Sequence, residues 1–443
     1  MTTEQSVDTG STPAAPGPAA DRIETLDVLR GVALLGILLM NILGFGLHSA
    51  GYFNPLVGAD SDASGQNLDL GLWVFFDVTV EGAMRGLFSM LFGASLLLFT
   101  TGPGAKPGVV YFRRQWWLLC FGLFNGFILL WPGDILFTYA LAGMLLYPFR
   151  HARVRSLLVG AIVIGLLLAA MGWISNFGLA TLRQEVQSLV HAPAGAVLSE
   201  AEQQLMAQWR DFEAGVSPRA EEVDAELGAR RAGYLSAFAW NAGVMAETLL
   251  FVIPVLMLWD ALLMMLIGMA LMHLGVISGA RSERFYWQLL GGGLLLGVTV
   301  NGLEVYHAIA SGFDPLQLFR YFAPSYNLGR LGMALAWLAL VMLLCLWAQP
   351  ALWWRRLQAR LAAVGRTALS NYLMQSLLGL LLFSGAGLGL VGMLDRWQLY
   401  LGVVAVWLLQ LWWTPLWLQR FRFGPIEWFW RWLTYGRRPG LRR

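Results

Sequence analysis

Apolar runs long enough to cross a bilayer recur along this chain, separated by short polar breaks. They fall at about 28–47, 71–99, 114–131, 134–149, 154–175, 248–273, 286–308, 326–348, 368–390 and 396–418. A water-soluble helix would carry a polar stripe along its whole length, and these do not. The pattern predicts an all-α polytopic transmembrane helical bundle of about ten spans. Its first span, Thr25 to Asn41, starts as a capped helix, carries Asp27 and Arg30 three residues apart on one face, and then turns wholly apolar. The stretch 233–247, with Asn241 and Glu247, is amphipathic and abuts the sixth run. Together they would make about 60 Å of helix, about twice the hydrocarbon thickness. One crossing preceded by a surface or re-entrant helix is expected. Two crossings is the alternative, and it would invert everything downstream.

Loop charge gives the orientation. Lys106, Arg113 and Arg114, then Arg150, Arg153 and Arg155, then Arg281 and Arg284, then Arg355, Arg356 and Arg360, and finally the Arg-rich tail fall on one side of a ten-span chain. The other side receives Gly51–Asp69, Pro132–Asp134 and the acidic loop from Ala180 to Arg230. Both termini are therefore expected in the cytoplasm. The domain plan is a disordered tail over 1–21, the bundle over 22–420 with an extracytoplasmic amphipathic insertion at 176–247, and a cytoplasmic interfacial helix and tail over 421–443. Trp131-Pro-Gly-Asp134 reads as a tight outer turn, with Asp134 capping the fourth helix.

Composition agrees with this pattern. Of 443 residues, 57% are apolar and 13% charged, and mean hydropathy is +0.59. Trp at 21 copies and Gly at 50 suit interfacial belts and close helix contacts. A net charge of +3 gives no case for nucleic acid. Cys120 and Cys345 lie in apolar segments, where a disulfide is not expected. No His, Cys, Asp and Glu spacing resembles a metal site, and no Gly-rich loop follows a strand.

The polar residues inside the apolar runs carry the candidate chemistry. Asp77, Glu81 and Arg85 are spaced four and four in the second span, which places them on one face of one helix. Glu304 and His307 share a face near the outer end of the seventh span, where a carboxylate could orient a base. His48 closes the first span on the same side. The candidate catalytic residues are thus His48, Glu81 and His307. Arg366 opens the ninth span from the cytoplasm, with Asn371 and Gln375 one to two turns further in. Pro425 starts a tail helix bearing Glu427 and Arg431. Arg30, Arg85, Arg113, Arg366, Asn371 and Gln375 are expected to line a cytoplasmic cavity for an anionic ligand. Asp27, Asp134, Glu427 and Arg431 are the structural or rim residues, with Glu427 paired to Arg30, Arg366 or Arg431.

Several of these blocks are familiar. Leu26-Asp27-Val-Leu-Arg30-Gly31 with Asn41, Leu87-Phe-Ser-Met-Leu-Phe-Gly93, Gly365-Arg366-Thr-Ala-Leu-Ser-Asn371-Tyr372-Leu-Met-Gln375-Ser376 and Gly424-Pro425-Ile-Glu427-Trp428-Phe-Trp430-Arg431 resemble the YeiB-like family of bacterial membrane proteins and its C-terminal domain of unknown function. That family is similar, at a distance, to a superfamily of transmembrane acyltransferases. The resemblance implies an inner-membrane protein that takes an acyl group from cytoplasmic acyl-CoA and delivers it to a surface, glycan or lipid-linked acceptor. Membrane lipid is the further association expected, and the oligomeric state is left open, with a homodimer as one option. Many of those relatives use a histidine early in the chain. The second span here has none, and His48 is the early histidine available. Two other readings stand beside this one. The first is a transporter or exporter of a small anionic or amphiphilic compound, using Asp77, Glu81 and Arg85. The second is a structural or sensory membrane protein without turnover.

Overall fold

The structure, a computed structural model, describes residues 19–57, 63–101, 105–191, 198–347 and 351–442. It is all-α. The expectation of a tail over 1–21 lies, for residues 1–18, outside the described residues, and helix α1 (Ala19–Gly46) begins at its end. Helix α1 sits at the centre, with Leu29, Ala33, Leu34, Leu38 and Leu43 fully buried. Around it pack α3 (Ala83–Thr100), α13 (Leu352–Arg366), α14 (Ala368–Phe383) and α15 (Arg396–Arg420). A second layer is made by α6 (Val154–Val190), α10 (Leu258–His273) and the hairpin of α11 (Glu283–Ala310) and α12 (Pro315–Leu346). Leu166, Phe177, Leu295 and Leu401 point away from this core and are exposed. An apolar surface of that kind is the face a bilayer would cover.

Among the described residues, seven helical runs are long and apolar enough to cross a membrane: Glu24–Gly46, Asn67–Thr100, Val154–Val190, Tyr234–His273, Glu283–Ala310, Pro315–Leu346 and Arg396–Arg420. Helix α14 is apolar but shorter. The other two expected spans form a hairpin of α4 (Gly108–Leu123) and α5 (Leu136–Leu146), joined through a π-helical turn at Phe124–Ile128 and a buried bend. At 11 residues, α5 covers about 16 Å on its own, while α4 and its π-helical turn run on without a break from Gly108 to Ile128.

Two expectations about the path change. The segment 233–247 is not a separate surface or re-entrant helix. Helix α9 (Tyr234–Glu247) passes through a π-helical stretch, Thr248–Met257, straight into α10. Pro254 lies in that stretch, where the wider winding absorbs its missing N–H. No reversal interrupts the run, so nothing in it permits two crossings. The Arg-rich loop before the ninth span is also a helix, α13, whose apolar face lies against α1.

Between α6 and α9 the chain forms α7 (Glu200–Ala214) and α8 (Ala220–Arg231), each opened by a Glu three residues in that bonds back to the preceding backbone. This insertion covers the end of α1. Arg230 donates to the carbonyls of Gly44, Phe45 and Leu47, and Asn54 donates to Val216 O.

Candidate functional site

Glycine sets the geometry of the site. Gly31 of α1 and Gly365 of α13 meet at a helix crossing, and a Cβ on either would run into the other helix's backbone. This contact brings the end of α13, and with it Arg366, over the first turns of α1. From the other end of the chain α16 (Pro425–Tyr435) returns to the same place and packs on α4 and α14. The three segments enclose a cavity of about 280 Å3, rimmed by Arg30, Arg114, Arg366, Glu427 and Arg431. Its inner walls are apolar or aromatic, with Phe88, Leu91, Phe92, Leu118, Leu136, Tyr139 and Tyr372.

The four guanidinium groups differ in their partners. Arg30 is held by Asp27 at 2.9 Å and donates to Ser95 Oγ at 2.7 Å. Arg114 lies between the rings of Phe99 and Trp430, 4.9 and 4.5 Å from their centroids. Its backbone carbonyl accepts from the Trp430 indole at 3.0 Å. Arg431 lies over Phe423. Among the described residues no carboxylate pairs with Arg114, Arg366 or Arg431. Three guanidinium groups without a carboxylate partner beside an apolar interior have the donor chemistry to hold an anion.

Glu427 stands among these arginines but pairs with none of them, contrary to the sequence expectation. Its carboxylate accepts from Ser370 N at 3.0 Å and Ser370 Oγ at 2.5 Å, in the first turn of α14. Orphan N–H groups and the positive helix end hold it there. Burial pushes the Glu427 carboxyl above the usual carboxylate range, against the pull of the Ser370 hydrogen bonds.

Other candidate ligand residues lie elsewhere. Arg113 is exposed and donates to Thr434 O at 3.4 Å, because the winding of α4 turns Arg114 inward instead. Asn371 and Gln375 face α15. Asn371 bonds Thr367, its carbonyl accepts from Gln410, and Gln375 donates to Gln410 at 3.2 Å. They are interhelical glue, not cavity lining. Asp134 accepts from Phe137 N at 2.9 Å in the first turn of α5 and from Asn125 at 2.8 Å.

Arg85 and Glu81 form a separate cluster deeper in the bundle. They do not share one helix face, because α2 (Ala63–Thr79) stops and α3 restarts after Gly82, whose φ of +63° breaks the winding. Tyr326 bridges them. Arg85 donates to its hydroxyl at 2.5 Å, and that hydroxyl donates to Glu81 at 2.9 Å. Tyr52 also donates to Glu81. Tyr139, on the cavity wall, donates to Arg85 O at 3.0 Å, so the cluster adjoins the cavity's inner end.

The histidines are not in the cavity. His48 lies 18 residues beyond Arg30, about 27 Å along the helix direction. Its Nε2 is 3.1 Å from Glu226, and its Nδ1 accepts from Ala50 N. His307 stacks flat on Tyr321 with centroids 3.7 Å apart, while Glu304 accepts from Ser325. The expected Glu304–His307 pairing is absent, because neighbouring α12 takes both side chains. Among the described residues no three His, Cys, Asp or Glu side chains converge as a metal site requires.

Sequence reasoning missed Arg114 as the inward arginine, Tyr326 as a bridge and the buried Arg330–Asp260 ion pair between α12 and α10. Asp260 and Arg330 each stand as a lone charge in an apolar run. Two such charges of opposite sign were the available signal.

Comparison with known proteins adds the family. Residues 271–437 match a family model described as "Protein of unknown function (DUF418)". No solved structure matches the chain. The uncharacterized protein YxaH of Bacillus subtilis is 28% identical over 424 residues, covering 94% of each chain. The uncharacterized protein YeiB of Escherichia coli is 33% identical over 428 residues, covering 94% of this chain and 96% of its own. The YeiB similarity extends over nearly the whole of both chains, and on that extent this chain belongs to the YeiB-like family.

Proposed function

We propose that the protein crosses the bacterial inner membrane ten times with both ends in the cytoplasm, and that it transfers the acyl group of a cytoplasmic acyl-CoA to a surface or lipid-linked acceptor. The observation that carries this reading is the cavity, in which the Arg30, Arg114, Arg366 and Arg431 guanidinium groups surround the mouth of an apolar interior. Phosphates suit the rim and an acyl arm suits the walls. At about 280 Å3 the cavity is near the low end of ligand sites, roughly 300–1,000 Å3. It would hold an arm, leaving the nucleotide on the arginines. In the transfer, the acceptor's hydroxyl oxygen bonds to the acyl carbonyl carbon, the C–S bond breaks, and the hydroxyl proton ends on the CoA thiol.

One observation favours transport of an anionic amphiphile as a second reading. The α2–α3 break puts Glu81 and Arg85 at an interrupted membrane helix, an arrangement common at transporter binding sites.

Thermal unfolding and native mass spectrometry of the protein in nanodiscs, with palmitoyl-CoA, CoA or palmitate added, test the proposal. Palmitoyl-CoA should be retained best, and R114A/R366A should lose it. Retention of none of the three overturns the donor site. Retention without any acyl product across a panel of hydroxylated lipids supports the transport reading.

A further inference from the structure

A second cavity, of about 40 Å3, lies under the insertion at the opposite end of the bundle. Three elements, α1, α14 and the bend between α4 and α5, line both cavities. On α1 the first has Arg30 and the second Gly44, about 21 Å apart at the helical rise. On α14 they have Tyr372 and Gly379, about 10 Å apart. The bend between α4 and α5 supplies Ile135 to the first and Leu130 and Pro132 to the second. Between them stands Trp131, buried, with its ring 4.1 Å from that of Phe45. The residue before it, Leu130, is held at φ +54°, in the left-handed region that a branched side chain rarely enters.

The smaller cavity contains an unmet demand. Asn241 is 1% exposed and lines it. Its Nδ2 donates to Gly126 O at 2.8 Å, which fixes the orientation of the amide. Its Oδ1 accepts from no group among the described residues. Beside it, Trp240 offers a ring face, partly covered by Arg230 at 5.0 Å. A buried carbonyl oxygen without a donor, next to an indole face, matches a hydroxyl on a carbon ring or chain.

We infer that this cavity is part of the acceptor subsite and, at about 40 Å3, takes the hydroxyl-bearing end of the acceptor: Asn241 Oδ1 receives the hydroxyl and Trp240 packs on the carbon beside it. The inference rests on the acyl-transfer reading. Trp131 is then the wall between the acceptor hydroxyl and the inner end of the donor cavity, and transfer requires the Leu130–Trp131 bend to move.

Photolabelling of the nanodisc protein with a diazirine-bearing alkyl glucoside, mapped by mass spectrometry, tests it. Label should appear around Leu130, Trp240 and Leu380 and be competed by octyl glucoside. Asn241→Leu should lower it roughly 2- to 10-fold, the worth of one hydrogen bond. Trp240→Ala, which keeps the Asn241–Gly126 bond, should lower it as well, with thermal unfolding showing that both variants fold. Uncompeted label, as for a cavity that holds only water, or label unchanged in both variants overturns the subsite. Specific label in a protein that retains no acyl-CoA overturns the transfer reading and leaves a hydroxyl-binding pocket. Retained acyl-CoA with no specific label does the reverse.

Discussion

Arg330 and Asp260, on α12 and α10, form an ion pair inside the bundle in which the arginine is only 1% exposed. Arg330 also donates to Asn327 at 2.7 Å. Removing one partner would strand a charge in an apolar setting. Arg330→Met should therefore destabilise the protein by about 3–5 kcal/mol, and Arg330→Met with Asp260→Met by clearly less. Detergent-phase thermal unfolding of the two variants decides this. A double variant as unstable as the single one would show that the pair's shape, not its charge balance, matters.

Tyr326 carries a heavier load than Tyr52, although both donate to Glu81. Tyr326→Phe removes a donor from Glu81 and an acceptor from Arg85, whereas Tyr52→Phe removes one donor only. The first should cost about 1–3 kcal/mol and the second roughly 1 kcal/mol. Equal effects on unfolding would mean that the bridge contributes nothing beyond one hydrogen bond.

His48 should make the insertion acid-sensitive. Burial holds its ring below the ordinary histidine value, opposed by Glu226 and reinforced by Arg230, with Glu222 a weaker opposing charge. Because the folded value lies below the unfolded one, its contribution is complete above about pH 6.5 and is lost as pH falls through the folded value. The melting temperature should drop between pH 7.5 and 5, and His48→Gln should flatten that slope. A wild-type melting point that climbs on acidification is the contrary result.

The ten-crossing path predicts which positions an impermeant thiol reagent reaches from outside. With Cys120 and Cys345 replaced, Gly215→Cys and Ala310→Cys should be labelled in intact cells. Ser282→Cys and Arg356→Cys should react only after the membrane is broken. Labelling of Ser282→Cys from outside would sink the proposed orientation.

The ends of the spans were readable, and the rotations within them were not. Arg30, Arg366 and Glu427 stand where apolar runs meet polar ones, so their common level followed from direction alone. Arg113 and Arg114 differ by one residue, about 100° around a helix, and α4 is apolar enough on both flanks to hide which arginine faces inward. The four-residue spacing of Glu81 and Arg85 implied one face only while the helix stayed intact, and Gly82 ends it. The partner of Glu427 was a choice between guanidinium groups and a helix N-terminus whose position only tertiary packing sets. Helix α13 was legible in principle, since Leu357, Leu361 and Val364 repeat at helical spacing. At 15 residues it falls short of a span, so span length alone reads it as a charged loop.

Helix α13 ends at Arg366 on the rim and also presents Arg355, Arg356 and Arg360 outward. On a cytoplasmic leaflet those three face the headgroups, each worth about 1 kcal/mol against an anionic surface. The surface potential of the leaflet thus bears on the same rigid element that places Arg366. Through the contact of Gly31 with Gly365, it bears on the position of Arg30 as well. A bilayer rich in anionic lipid would seat this helix and neutralise its outer charges. A zwitterionic one would leave the same arginines to draw anions from solution toward the mouth.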